Sequence, residues 1–238
     1  MIYKKTFRPI CLVLCAIIMI GVCGCMNSQK VKMSVDECIN YMVEKYGEKF
    51  IYVEPYSDYQ TNTSLKIIVQ SENIPDSRIL VVSEIVDGKV LYHDNYLRVK
   101  YESLTFDLIQ DIARTAYGDC RVIYTTSNNY FLPDSFGVST TFEEYCTNVK
   151  SNISAAILLP PSHKDSAKDK EMDDLYNLIC ENKIICSISV YYTNDLDKYQ
   201  SIDKIEDIAS SSNWYGSNGQ LSVGEEFEIA SRSWGREK

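Results

Sequence analysis

Asp195, Asp197, Asp203 and Glu206 fall at positions 1, 3, 9 and 12 of a twelve-residue window, the acid spacing of a calcium-binding loop. Such a loop also needs an oxygen ligand at position 5 and a turn-forming glycine at position 6, where this chain has Tyr199 and Gln200. A solvated acidic turn before a short helix accounts better for the same residues. Ser201-Ile-Asp-Lys204 has the S-x-x-K spacing of penicillin-interacting serine enzymes, without the S-D-N and K-T-G companions that complete the site. His93-Asp94 sets a base beside an acid able to orient it. General-base catalysis also needs a positioned nucleophile, and neither a G-x-S-x-G elbow nor a comparable cysteine signature is present. His163 stands in the polar loop Pro160-Pro-Ser-His-Lys-Asp165. The ten glycines show no G-x-G-x-x-G or G-K-[ST] spacing, so no phosphate-cradling loop is expected.

Five cysteines lie beyond residue 25: Cys38, Cys120, Cys146, Cys180 and Cys186. An odd number leaves at least one unpaired within the chain. No C-x-x-C occurs and only two histidines are available, so no zinc site, and no other metal or cofactor, is expected. A Cys180–Cys186 bridge is geometrically open, but the apolar neighbours of all five favour small buried thiols. Aromatic loops are the best binding candidates. Trp214 and Tyr215 stand beside Gly216, Asn218 and Gly219, and Tyr130 and Phe131 lie in an earlier loop. Exposed tryptophan and tyrosine stack on sugars or anchor protein interfaces; the same residues also pack inside strand-rich domains. Trp214 and Tyr215 are carried forward as the candidate site.

The elements that must position these residues divide the chain in two. Ser34-Val-Asp-Glu37 is a capping box that opens a helix running to Gly47, with Val35, Cys38, Ile39, Met42, Val43 and Tyr46 at helical spacing. Strands are expected over 51–53 and 65–69, then over 78–86 and 89–92 around Asp87-Gly88, a pair favoured in tight hairpins. A helix over 103–117 and a strand over 120–125 follow, and 128–138 reads as a loop. A second capping box, Thr141-Phe-Glu-Glu144, opens a short helix to Lys150. A buried strand over 153–159 ends at Pro160-Pro161. A helix over 166–182, a strand over 184–192, a short helix over 201–209 and a hairpin-like segment over 221–229 complete the pattern. Strands joined through a helix of that length are usually parallel neighbours. The class expected is α+β, with antiparallel strands, a hairpin and helices in the first half and alternating helix and strand in the second. One domain over 34–238 is expected, with subdomains over 34–127 and 138–238.

The first 25 residues have a different character. Lys4, Lys5 and Arg8 form a basic head without acids, and Ile10 to Val22 is an apolar run of thirteen residues. A bilayer core of about 30 Å takes about 20 apolar residues to span, so this pattern is that of a secretory signal peptide. It ends in Val22-Cys23-Gly24-Cys25, which resembles the lipobox of bacterial lipoproteins at Val22, Gly24 and Cys25 and departs from it at Cys23. The resemblance implies a signal peptide over 1–24, a diacylglyceryl group on Cys25, and a short tether over 25–33 on the extracytoplasmic face of the cell membrane. An uncleaved signal anchor is the other reading of the same run.

Loss of residues 1–24 removes three basic residues and no acid, taking the net charge from −9 to −12. So acidic a domain repels phosphate backbones and anionic headgroups, which disfavours nucleic acid as a partner and leaves membrane attachment to the acyl chains. A binding or accessory role follows, directed at an envelope polymer, a peptide or a partner protein. The alternative is an envelope hydrolase whose two carboxylates are distant in sequence.

Overall fold

The computed structural model describes residues 33–56, 61–125, 132–204, 207–208 and 215–235. Helix α1 spans Val35–Tyr46. Both halves of its capping box form: the Glu37 amide donates to Ser34 Oγ at 3.2 Å, and the Ser34 amide donates to Glu37 Oε2 at 3.0 Å. Gly47 ends the helix at φ +69°, a left-handed conformation that costs glycine nothing, and its amide closes on the Val43 carbonyl.

Four strands follow, β1 (Phe50–Pro55), β2 (Ser64–Ser71), β3 (Ile74–Val86) and β4 (Lys89–Asp94), paired antiparallel in chain order. Asp87 and Gly88 both have positive φ, as a type I′ hairpin turn demands. The period of two sorts the side chains. Leu65, Ile67, Val69, Ile79 and Val81 join α1 in the main core, while Ile68, Leu80 and Val82 form a small cluster on the opposite face.

Two helices then lead to the second sheet, α2 (Tyr96–Lys100) and α3 (Glu102–Tyr117). The helical stretch therefore starts earlier than the expected 103. Helix α2 has no side-chain cap to announce it, because the Asn95 carboxamide oxygen accepts from the Leu80 amide at 2.8 Å. Strands β5 (Arg121–Thr125), β6 (Ile153–Leu159), β7 (Cys186–Thr193), β8 (Tyr215–Val223) and β9 (Ile229–Trp234) lie in that order. Of these neighbours only β6 and β7 are parallel, and they are the pair joined through the long helix α5 (Lys168–Glu181). The fold is α+β, with an antiparallel first half and alternating helix and strand in the second.

Two helix boundaries differ from expectation. The helix opened by Thr141 is α4 (Phe142–Cys146) and stops before Lys150. Thr147 Oγ1 turns back onto the Glu143 carbonyl, and the Asn148 side chain caps a separate 3-10 turn over Val149–Ser151. A helix not expected from the sequence, α6 (Leu196–Ser201), precedes the window 201–209, because Asp195 serves as its cap by accepting from the Lys198 amide at 3.0 Å; within that window Asp207 and Ile208 are helical. The last hairpin also runs further than expected, since β9 reaches Trp234.

Residues of both sheets belong to one continuous core, from Met42 and Ile67 through Ile109 and Tyr117 to Ile157, Met172 and Val190. Helices α3 and α5 pack on each other and on one face of the second sheet. Its other face carries Ile123, Ala156 and Leu158, covered by Tyr199, Ile202 and Ile208. Among the described residues no helix is long and apolar enough to cross a membrane.

Candidate binding site

Strand β5 is an edge. Among the described residues it pairs with β6 alone, in unbroken register from Arg121 opposite Leu158 to Thr125 opposite Ser154. Val122 points into the main core and Ile123 into the opposite cluster, as successive residues of a strand must. A cavity of about 620 Å³ touches Val122, Ile123 and Tyr124 together. A cavity that meets consecutive residues lies along the strand's backbone edge and not over either face.

The opposite wall is the corner between α2 and α3, where Val99 and Phe106 supply apolar surface with Ile74 from the start of β3. Lys100, Glu102, Ser103 and Asp203 form the rim. The volume lies within the range of ligand sites, about 300–1,000 Å³, and a mostly apolar lining with a few polar groups is their usual composition.

The ends of the groove are fixed by charge. The Arg121 guanidinium donates to the carbonyls of Tyr199 and Ile202 and to Asp203 Oδ1, the last at 2.9 Å, and lies 5.8 Å from the Tyr199 ring. It thereby ties the α6 segment to β5. The Lys100 ammonium stands over the rings of Tyr96 and Tyr101, at 6.0 and 5.5 Å. Burial raises the pKa of the Tyr124 hydroxyl, so this side chain stays neutral through the physiological range.

A second polar cluster sits at the carboxyl ends of β6 and β7, a frequent place for sites in α/β sheets. His163 Nε2 lies 2.9 Å from Glu171 Oε1, and the Tyr192 hydroxyl donates to Glu171 Oε2 at 2.7 Å. The Trp234 indole donates to Asp169, and Ser217 to Asp165. Gly219 is needed beside them, because a Cβ there would lie 2.5 Å from the Trp234 ring. Both oxygens of Glu171 are engaged, so the cluster fastens the β6–α5 loop and the start of α5 to the strand ends.

Of the residues singled out by sequence, Asp203 lies at the rim of the groove and His163 in the polar cluster. Cys25 and Trp214 are outside the described residues, as are Tyr130, Phe131 and Glu206. Tyr215 opens β8 and packs edge-on against Tyr191 at 5.2 Å, beside the Leu158–Tyr199 cluster. His93 and Asp94 do not form a dyad. Adjacent strand residues point to opposite faces, so His93 meets Glu84 at 3.3 Å while Asp94 is buried beneath α1. The acids of the calcium-like window are likewise separated in role, Asp195 capping α6 and Asp203 pairing with Arg121. The groove had one sequence signal, the short strand over 120–125 placed directly after a long helix. That β5 is an edge is a property of pairing order and is invisible locally.

The five cysteines among the described residues are free thiols. Burial raises Cys120 to about 11 and both Cys146 and Cys186 to about 12. The thiolate is the reactive form. Native protein treated with an aromatic disulfide reagent at pH 8 is therefore expected to titrate Cys180 first, because it is the only one of the five that is not fully buried. The other four should react only with unfolding. Rapid reaction of four or five thiols in folded protein would contradict this burial.

No family model matches the chain, and no curated protein matches it. Among solved structures, a DUF5037 family protein from Ruminococcus gnavus is similar to 82% of this chain and 94% of its own, with 15% identity and a TM-score of 0.40.

Proposed function

We propose that this chain is a lipid-anchored binding module of the bacterial cell envelope. A diacylglyceryl group on Cys25 holds it at the extracytoplasmic face of the membrane, and the β5 groove engages a peptide or protein partner, or an envelope polymer. The observation that carries the binding role is the groove itself, apolar along its length and open at a strand edge. Asp203 at its rim is committed to Arg121, which weighs against a carboxylate pair working together on a glycosidic bond. The anchor rests on the basic head, the thirteen-residue apolar run and the Val22-Cys23-Gly24-Cys25 ending. Two acyl chains are enough for stable attachment where one is marginal.

Cys25→Ala in the native bacterium tests the anchor. Metabolic labelling with an alkyne fatty acid should mark the wild-type protein and leave the variant unlabelled and unprocessed. If wild type is itself unlabelled yet membrane-bound, the uncleaved signal anchor replaces the lipid. Crosslinking on intact cells, with identification of what is captured, tests the binding role. Capture unchanged by Phe106→Glu would remove the groove from it.

A further inference from the structure

We infer that the free edge of β5 accepts an extended peptide as an added strand, lying in the groove between β5 and α3. This rests on the binding reading above and names its partner: a net-basic segment with apolar side chains at alternate positions.

The two sheets together have four edges, β1 and β4 in the first, β5 and β9 in the second. Natural edges are usually blunted by proline, by bulges or by charge, because an open row of amides and carbonyls recruits other strands. Strand β1 carries Pro55 and a register shift between Tyr52 and Glu54. Strand β9 has a register shift opposite Ser222/Val223 and places Arg232 against Asp173. On β4, Lys89 puts charge at the edge, and His93 lies 3.3 Å from Glu84 of the neighbouring β3. Strand β5 has no proline and no register shift, and its one charged residue, Arg121, is drawn onto α6.

In an antiparallel edge strand, alternate residues turn amide and carbonyl outward. Among the described residues no backbone group pairs with those of β5 on its outer side. An extended segment laid there meets the apolar wall of Val99, Phe106 and Ile74 with one row of side chains. Main-chain bonding supplies affinity in strand addition, and pockets for alternate side chains supply selectivity. At the groove Glu102 and Asp203 are balanced by Lys100 and Arg121, but the chain beyond residue 24 carries a charge of −12, so a basic segment is favoured over an acidic one.

Hydrogen exchange on the full chain in detergent tests this. The probes are capped hexapeptides alternating valine with lysine, valine with threonine, or valine with glutamate. The lysine peptide is expected to bind best and to slow exchange within 121–125. Methylation of the peptide's backbone nitrogens that face β5 should weaken binding about tenfold, the effect of losing one or two hydrogen bonds. Ser103→Trp, which fills the groove from an exposed helix position, should abolish the protection while the melting temperature holds. Binding that Ser103→Trp removes, but that leaves exchange in 121–125 unchanged and tolerates methylation, overturns strand addition and leaves the binding module standing. Failure of all three peptides to bind also overturns strand addition, and cell-surface capture then decides the broader role by itself.

Discussion

Asp94→Ala is expected to cost about 3–5 kcal/mol of folding stability, the range for breaking a buried ion pair by removing one partner. The Asp94 side chain is fully buried, and that of Lys45 is only 11% exposed. Oδ2 accepts from Lys45 Nζ at 2.8 Å and from the Tyr41 hydroxyl at 2.9 Å. Oδ1 accepts from the Tyr46 hydroxyl at 2.7 Å and from the Tyr96 amide at 2.9 Å. One carboxylate thus joins α1, the end of β4 and the start of α2. Alanine would strand a cation and three further donors at once, and the rings of Tyr41 and Tyr46 beside the ammonium replace only part of that charge pairing. A typical domain has about 5–15 kcal/mol in total, so the variant should sit near its unfolding threshold. Urea unfolding followed by circular dichroism measures the loss. Lys45→Met in the Asp94→Ala background should restore part of it, because the orphaned charge is gone. A double variant no more stable than Asp94→Ala would show that the carboxylate matters for its neutral hydrogen bonds and not for the ion pair.

The second large effect is alkaline. Unfolded tyrosine releases its proton near pH 10. Burial raises the Tyr46 and Tyr117 hydroxyls well above that value, with Asp94 adding to the shift at Tyr46 and Glu171 at Tyr117. Tyr192 is raised by burial and by its bond to Glu171. Above pH 10 the folded state therefore keeps protons that the unfolded state has lost. Stability fully present below pH 10 falls as pH rises, by at most about 1.4 kcal/mol per pH unit for each such group. The buried thiols of Cys146 and Cys186 act in the same direction, from about pH 8.5 upward until their folded values near 12. Urea midpoints at pH 8, 9, 10 and 11 should decline with growing steepness. Tyr117→Phe gives a clean comparison, since that hydroxyl has no hydrogen-bond partner among the described residues. The variant should match wild type at pH 8 and lose less stability by pH 11. A flat profile from pH 9 to 11 would mean that these hydroxyls reach water in the folded state.

Both effects depend on partners that are distant in the chain, which explains why the sequence did not show them. Tyr41 and Asp94 are 53 residues apart, and Tyr46 and Asp94 are 48 apart. His93-Asp94 drew notice as neighbours, yet strand alternation sends the two side chains to different environments. His163 was visible only as a loop residue. Its partner Glu171 lies on the next helix, and Tyr192, which shares that carboxylate, is at the end of a strand 21 residues further on.

Sequence alone determined the features that close within a few residues: the Ser34/Glu37 and Thr141/Glu144 capping boxes, the Asp87-Gly88 turn, and the alternation that sorts β7 into a buried and an open row. These need only local backbone geometry and hydrogen bonds across three or four positions. It also set the acidic balance of the chain, which any partner must tolerate. Tertiary structure alone decided that Asp94 is a buried junction, that Glu171 binds His163 and Tyr192, and that β5 ends its sheet beside an apolar groove. Those outcomes follow from strand order and helix packing, where small energies from remote segments add up and no short stretch of sequence records the sum.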